Sequence, residues 1–220
     1  MDKSFSHYFA PAESLAHREQ EITFSFAGRN WRFLTDRGVF SRDKLDHGTE
    51  LLLESALELI TEQLSAEQSD SDNYDQLNVL DLGCGYGAVG VILKQLFPQL
   101  VITACDINER ATSLNERNHQ KYHQKVRTLN SDGVPQQSVD MAYGNYDWVI
   151  TNPPIRAGKK VVHSFFSDSY ETLKVGGRLL VVIRKQQGAA SAEAKITEIF
   201  GNCDRLRSQA GYRILLATKE

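Results

Sequence analysis

Four consecutive residues, Asn152-Pro153-Pro154-Ile155, follow an apolar run, Tyr146–Thr151, that reads as a buried strand. Two prolines end that strand and fix φ at about −65°. They also press Asn152 into an extended conformation. A short amide and rigid carbonyls then stand at the strand's C-terminal end, where open α/β sheets bind ligands. The Asn152 amide oxygen and the Pro153 carbonyl are suited to accept both N–H bonds of a planar exocyclic amine. Taken alone, the tetrapeptide is also a rigid turn. Upstream, Val79-Leu80-Asp81-Leu82-Gly83-Cys84-Gly85-Tyr86-Gly87-Ala88-Val89-Gly90 joins another strand to a helix. Its glycines permit a tight turn and a close ligand approach. Gly85, Gly87 and Gly90 fit a dinucleotide fingerprint, whereas Gly83, Gly85 and Gly87 fit a G-x-G-x-G loop preceded by an acid.

The acids discriminate between these registers. Asp81 lies two residues before Gly83. A carboxylate there repels a pyrophosphate but suits a cationic sulfonium cofactor with an amino-acid tail. Asp106, with Ile107 beside it, ends the next strand, where an acid accepts from ribose hydroxyls. Asp132, in Asn130-Ser131-Asp132-Gly133, is placed to accept from an adenine amine. Each acid alone is equally a helix cap or a turn residue. Three of them at successive strand ends point to one nucleoside-containing cofactor.

The elements that must carry these residues alternate. Strands at Leu77–Leu82, Leu100–Cys105, Val126–Asn130, Tyr146–Thr151 and Arg178–Ile183 are interleaved with helices near 88–96, 109–122, 159–173 and 191–200. Two final strands, near 204–208 and 212–217, lack a helix between them and are expected to be antiparallel. The pattern predicts an α/β fold: a doubly wound, mostly parallel seven-stranded sheet with an antiparallel last strand. In front of it, Glu21–Phe26 and Trp31–Thr35 read as a hairpin around Gly28-Arg29-Asn30. A helix is expected over 47–64, with Leu51, Leu52, Ser55, Leu59 and Ile60 near one stripe. The organisation expected is a hairpin-and-helix extension over 1–64 packed on the catalytic domain, a polar loop over 65–76, and that domain over 77–220.

With 41% apolar and 24% charged residues, the composition is that of an ordinary globular protein. The longest apolar stretch, Leu179–Ile183, is too short to span a bilayer. The N-terminus lacks a signal-peptide pattern, so a cytoplasmic location is expected. Cys84, Cys105 and Cys203 form no ligand cluster, and no metal is expected. The net charge of −3 gives no global attraction to nucleic acid, but the charges are segregated. Residues 47–81 hold nine acids and no Lys or Arg, whereas 151–190 hold seven Lys or Arg against two acids. The second stretch reads as a basic face beside Asn-Pro-Pro, or as an ordinary solvated surface.

These residues resemble the class I S-adenosylmethionine-dependent methyltransferases over roughly 77–217. Within that class, an Asn-Pro-Pro motif after the fourth strand implies methylation of a planar amine on adenine, cytosine, guanine or a glutamine side chain. Further residues narrow the likeness: Gly38-Val39-Phe40-Ser41, Leu45-Asp46-His47-Gly48-Thr49, Asn152–Lys159, Gly188 and Gly211-Tyr212-Arg213. Together they resemble the 16S ribosomal RNA guanine-N2 methyltransferases, specifically small members with only the catalytic domain.

The resemblance implies S-adenosylmethionine held by Asp81, Gly83, Gly85, Gly87, Asp106, Ile107, Asp132 and Asn152. It implies Asn152, Pro153 and Pro154 as the amine-holding residues. It also implies ribosomal RNA or the small ribosomal subunit as partner, with homodimerisation left open. Many such enzymes place an aromatic residue after the prolines; Ile155 stands here, and Phe40 is the candidate to stack on the base. Arg156 and Lys159, with Lys160 and Lys185, are candidates for phosphate contacts. Arg42 and Asp46 are candidates for the cofactor pocket, and His163 reads as a packing histidine. The alternatives are a glutamine or small-molecule amine methyltransferase, a non-catalytic cofactor- or RNA-binding module, and a nicotinamide oxidoreductase.

Overall fold

The computed structural model describes residues 16–67, 76–133 and 144–220. The first elements among the described residues form a hairpin, β1 (Gln20–Phe26) and β2 (Arg29–Thr35). Its turn lies one residue earlier than the sequence suggests. Ala27 and Gly28 both have positive φ, 49° and 70°, and Phe26 pairs with Arg29. Two-residue hairpins favour such turns because their twist matches that of the strands, so Arg29 and Asn30 join β2.

Helix α1 (His47–Glu67) follows. It runs to Glu67, so the polar loop expected from residue 65 starts later, and residues 68–75 of that loop lie outside the described residues. Its buried stripe is broader than expected. Leu52, Leu53, Ala56 and Ile60 are fully buried, whereas Leu59 is only partly covered.

The remaining elements are β3 (Asn78–Leu82), α2 (Ala88–Leu96), β4 (Val101–Asp106), α3 (Glu109–Lys121), β5 (Arg127–Asn130), β6 (Tyr146–Thr151), α4 (Lys159–Thr172), β7 (Leu173–Arg184), α5 (Ala189–Phe200), β8 (Asp204–Gln209) and β9 (Tyr212–Thr218). Seven strands form one sheet in the order β5-β4-β3-β6-β7-β9-β8. Strand β9 runs antiparallel to both of its neighbours, β7 and β8, as expected for a final pair without a helix. Strand β7 begins five residues before the predicted Arg178. It pairs Leu173 with Tyr146 and, after a register shift, Arg178 with Trp148. The lone pair at Leu173 and the glycines of the bulge hide this extension from a periodicity reading.

The sheet's two faces divide the core. Val79, Trp148, Ile150, Leu180 and Val182 face the hairpin, α1 and α2. Leu80, Leu82, Val149, Val181 and Ile183 face α4 and α5. The hairpin's Trp31 and Phe33 share the first cluster with Val79 and Ile92, so residues on both sides of 65–76 bury one continuous core.

Helix α3 fastens the hairpin in place with polar side chains. Asn118 accepts from Leu34 N (2.8 Å) and donates to Leu34 O (2.9 Å), and also donates to Tyr86 O (2.8 Å). One turn on, Tyr122 Oη accepts from Arg32 N (2.8 Å) and donates to Arg32 O (3.3 Å). Four helical residues rise about 6 Å and two strand residues about 6.8 Å, so the two spacings match.

Candidate active site

The strand order reverses beside β3. The chain leaves β3 toward β4 and β5, then returns to place β6 against β3 on the other side. The C-terminal ends of β3 and β6 therefore flank the switch point, where this architecture leaves a crevice. Thr151 Oγ1 donates to Leu82 O (2.7 Å), pinning the two ends together. The glycine loop and Asn-Pro-Pro emerge side by side.

The glycine loop is folded back onto the tip of β4. Gly83 N and Cys84 N both donate to Cys105 O, at 2.8 and 3.0 Å. Gly85 N donates to Asp106 Oδ2 (2.9 Å). Gly83, Gly85 and Gly87 all have positive φ, at 76°, 55° and 91°. A side chain at Gly87 would strike Asn115, whereas one at Gly85 would meet nothing within 4 Å. The bare backbone at Gly85 thus faces open space that a ligand can enter. Gly90 lies inside α2 and has no positive φ; a Cβ added there would lie 3.1 Å from both His119 and Ile102.

The three acids occupy different environments. Asp81 is enclosed: it is 3% exposed, and its Oδ2 accepts from Gly90 N (3.1 Å) in the first turn of α2. Burial pushes its pKa up from 3.8 to about 7. Asp106 accepts Gly85 N with one oxygen and Asn108 N with the other (both 2.9 Å). Burial raises its pKa, against these backbone bonds. With about four acceptor sites on its two oxygens, the carboxylate keeps room for a hydroxyl donor. Asp132 is exposed, in the bend after β5, and Ile107 is half-buried beside Asp106.

Asn152 leaves β6 half-buried, and Pro153 is buried. The amide Nδ2 donates to Thr49 Oγ1 on α1 (2.9 Å). No donor among the described residues occupies Asn152 Oδ1 or the Pro153 carbonyl. The Pro154 carbonyl is spent on Ala157 N (2.9 Å), which closes a 3-10 turn over Ile155–Ala157. Ile155 packs partly into the α4–α5 side of the core. Arg156, Lys159, Lys160, Arg184 and Lys185 are exposed around the ends of β6 and β7.

Phe40 is 62% exposed. Its loop is nevertheless tied down. Asn108 Nδ2 donates to Gly38 O (3.0 Å), and an Arg110 nitrogen donates to Arg37 O (2.6 Å). The neighbouring Val39 is buried in the core.

Arg42 and Asp46 each have a partner of their own: the Arg42 guanidinium donates to Gln20 Oε1 of β1 (2.7 Å). Asp46 caps α1, accepting from Thr49 N (3.2 Å), and takes Tyr212 Oη at 3.4 Å. His163 finds both a ring neighbour, Phe166, and Ser191 Oγ at 3.4 Å. Cys84 and Cys105 are buried free thiols, whose burial raises their pKa values and keeps them protonated. No cluster of metal-ligating side chains occurs among the described residues, and no described helix is long and apolar enough to cross a membrane.

Thr49 and Tyr212 are site neighbours to which sequence reading assigned no role. The Asp46-x-x-Thr49 spacing is that of a helix cap, which signals the helix start but not the contact with Asn152.

Residues 30–216 match the family model described as the methyltransferase small domain. An uncharacterized protein, YbxB of Bacillus subtilis, is 37% identical over 97% of this chain and 98% of its own length. Ribosomal RNA small subunit methyltransferase C of Shewanella halifaxensis is 31% identical over 80% of this chain and 46% of its own. A solved structure of T. thermophilus 16S rRNA N2 G1207 methyltransferase, in complex with AdoMet and guanosine, superposes with a TM-score of 0.75 at 26% identity. It covers 92% of this chain and 51% of the other. The chain thus spans about half the length of the ribosomal RNA methyltransferases it matches.

Proposed function

The chain belongs to the methyltransferase small-domain family and is a class I S-adenosylmethionine-dependent methyltransferase, and from that premise we propose that its acceptor is an exocyclic amine, guanine N2 of ribosomal RNA. The observation that carries this reading is the pair of open acceptors at the switch point, Asn152 Oδ1 and the Pro153 carbonyl. Two acceptors on a rigid Pro-Pro support match the two N–H donors of an exocyclic amine. A hydroxyl or thiol acceptor would use only one.

The residues around the glycine loop fit the cofactor. Gly85 leaves its backbone bare to open space, and Asp106 retains lone pairs for ribose hydroxyls. Asp81, Gly83, Gly87, Ile107, Asp132 and Asn152 would complete the cradle. When bound, S-adenosylmethionine supplies an electrophilic methyl group on a sulfonium. The chain's own contribution is positioning. Asn152 Oδ1 and Pro153 O hold the amine in line and favour a pyramidal nitrogen as positive charge develops on it. The methylated ammonium then loses a proton to water, so the site requires no general base.

A paired base cannot present this amine, and flipping it out costs a few kcal/mol. Exposed Arg156, Lys159, Lys160 and Lys185 would offset part of that through phosphate contacts. With Ile155 drawn partly into the core, the ring face falls to Phe40, exposed on its anchored loop.

The test is methyl transfer from labelled S-adenosylmethionine to deproteinated ribosomal RNA, small ribosomal subunits and total cell protein. The RNA and subunits come from a strain lacking this protein. N2-methylguanosine is the expected product. Asn152→Ala is expected to lower turnover at least tenfold while cofactor binding is largely retained. Label confined to protein would overturn the RNA assignment, and unchanged turnover in Asn152→Ala would overturn the amine clamp.

A further inference from the structure

An asparagine that works as an acceptor has a weakness. Its oxygen and nitrogen have nearly the same size, and a half-turn of the amide exchanges them. With Oδ1 outward, Asn152 accepts from an incoming amine. With Nδ2 outward, it presents a donor to a donor. The amide must therefore be held, and the prolines that fix the backbone do not hold it.

We propose that Thr49 is the positioning residue for Asn152, anchoring the amide to α1 through the observed Nδ2-to-Oγ1 bond, which leaves Oδ1 for the acceptor amine. The inference rests on the reading of Asn152 as the amine clamp. The 2.9 Å bond from Nδ2 to Thr49 Oγ1 is the only hydrogen bond of the Asn152 side chain among the described residues. Thr49 is 8% exposed, so water competes poorly for its hydroxyl.

The backbone that carries this hydroxyl is fixed from two directions. Asp46 receives Thr49 N through Oδ2 and Glu50 N through its carbonyl, which sets the first turn of α1. The other oxygen of Asp46 accepts from Tyr212 Oη on β9, and Tyr212 Oη accepts from Arg184 Nε (3.2 Å) at the end of β7. Between Asp46 and Thr49 stands Gly48. A Cβ there would lie 2.6 Å from the Tyr212 ring and 2.8 Å from Asp46 Oδ2. The missing side chain lets the start of α1 sit directly on β9. A chain of contacts thus runs from the sheet's C-terminal edge through α1 to the amide beside the crevice. It also gives the segment before the sheet a part in the chemistry.

The experiment uses the full chain with Thr49→Val, which keeps the shape and removes the hydroxyl, and Thr49→Ser, which restores it. Thr49→Ala replaces the valine if that variant does not fold. Asn152→Ala runs alongside. Three readouts are taken: cofactor Kd by calorimetry, kcat and KM on the best acceptor above, and the Asn152 side-chain amide signals in a 1H–15N spectrum, identified by their loss in Asn152→Ala.

Thr49→Val is expected to lower kcat about tenfold, the order of one hydrogen bond, with cofactor Kd and acceptor KM within twofold. Its Asn152 signals are expected to shift or broaden. Thr49→Ser is expected to recover kcat to within threefold and to restore the signals. A normal kcat in Thr49→Val beside a crippled Asn152→Ala would overturn the positioning role and leave the clamp intact. A loss confined to cofactor Kd, or equal losses in valine and serine variants, would also overturn it. Normal turnover in Asn152→Ala would instead bring down the clamp. If no acceptor turns over, the amide signals alone decide, and unchanged signals in Thr49→Val reject the contact.

Discussion

Replacing Asp81 with asparagine should make the cofactor-free protein more stable, and only above acid pH. Asn keeps the oxygen that accepts Gly90 N and removes the proton equilibrium. In the unfolded chain the Asp81 carboxyl titrates near its ordinary 3.8, and in the folded protein at about 7. Folding therefore takes up a proton between those values, and stability falls by about 1.4 kcal/mol per pH unit as pH rises. The contribution is whole below pH 4, is lost as pH climbs through about 7, and levels off beyond. At pH 8 the ionised, buried carboxylate costs about 4 kcal/mol, or about 10 °C in melting temperature for a chain of this size. The assay is urea unfolding of both proteins from pH 4 to pH 8 without cofactor. Asp81→Asn should gain on the wild type across pH 4–7 and hold that gain at pH 8. Calorimetry at pH 8 should show weaker S-adenosylmethionine binding, because the anion offered to the cofactor's cationic end is gone. A stability difference independent of pH would refute the reasoning, as would a variant weaker than wild type at pH 8.

Two other substitutions test different parts of the site. Gly87→Ala forces a side chain into positive φ and against Asn115; it should cost about 2–3 kcal/mol in urea unfolding, and a loss below about 1 kcal/mol would show that the loop yields. Phe40→Ala should leave the melting temperature unchanged, given its exposure, but raise KM for the RNA acceptor about fivefold or more if the ring stacks on a base; an unchanged KM would remove Phe40 from the site.

The parallel sheet was legible because its central strands are buried on both faces. Tyr146–Thr151 is buried at every position and shows as an apolar run, interrupted by Asp147, that ends in prolines. The site's acids and glycines were legible because strand ends in this topology converge on one edge. Helix α3 was readable only in outline. Asn115, Asn118 and His119 are each fully buried in it, where polarity suggests a solvent face. Asn118 is tolerated there because three hydrogen bonds satisfy its amide, and His119 because burial lowers its pKa to about 4 and keeps it neutral. Such compensation comes from partners 32 and 84 residues away in the chain. No local pattern announces it. The Thr49–Asn152 contact, spanning 103 residues, was hidden for the same reason.

The pairing of Asn118 and Tyr122 with Leu34 and Arg32 bears on how this protein avoids unwanted association. A strand edge with free N–H and C=O groups is a template onto which another chain can add. Here a helix plays the part of the missing strand, using one amide and one phenol to fill the outer groups of β2 at two successive positions. A true strand in that place would expose a new edge of its own. A helix exposes none, because its backbone groups are already bonded along its axis. Along this stretch of β2 the ladder therefore ends, and it gives a second molecule no template for strand exchange or fibril growth.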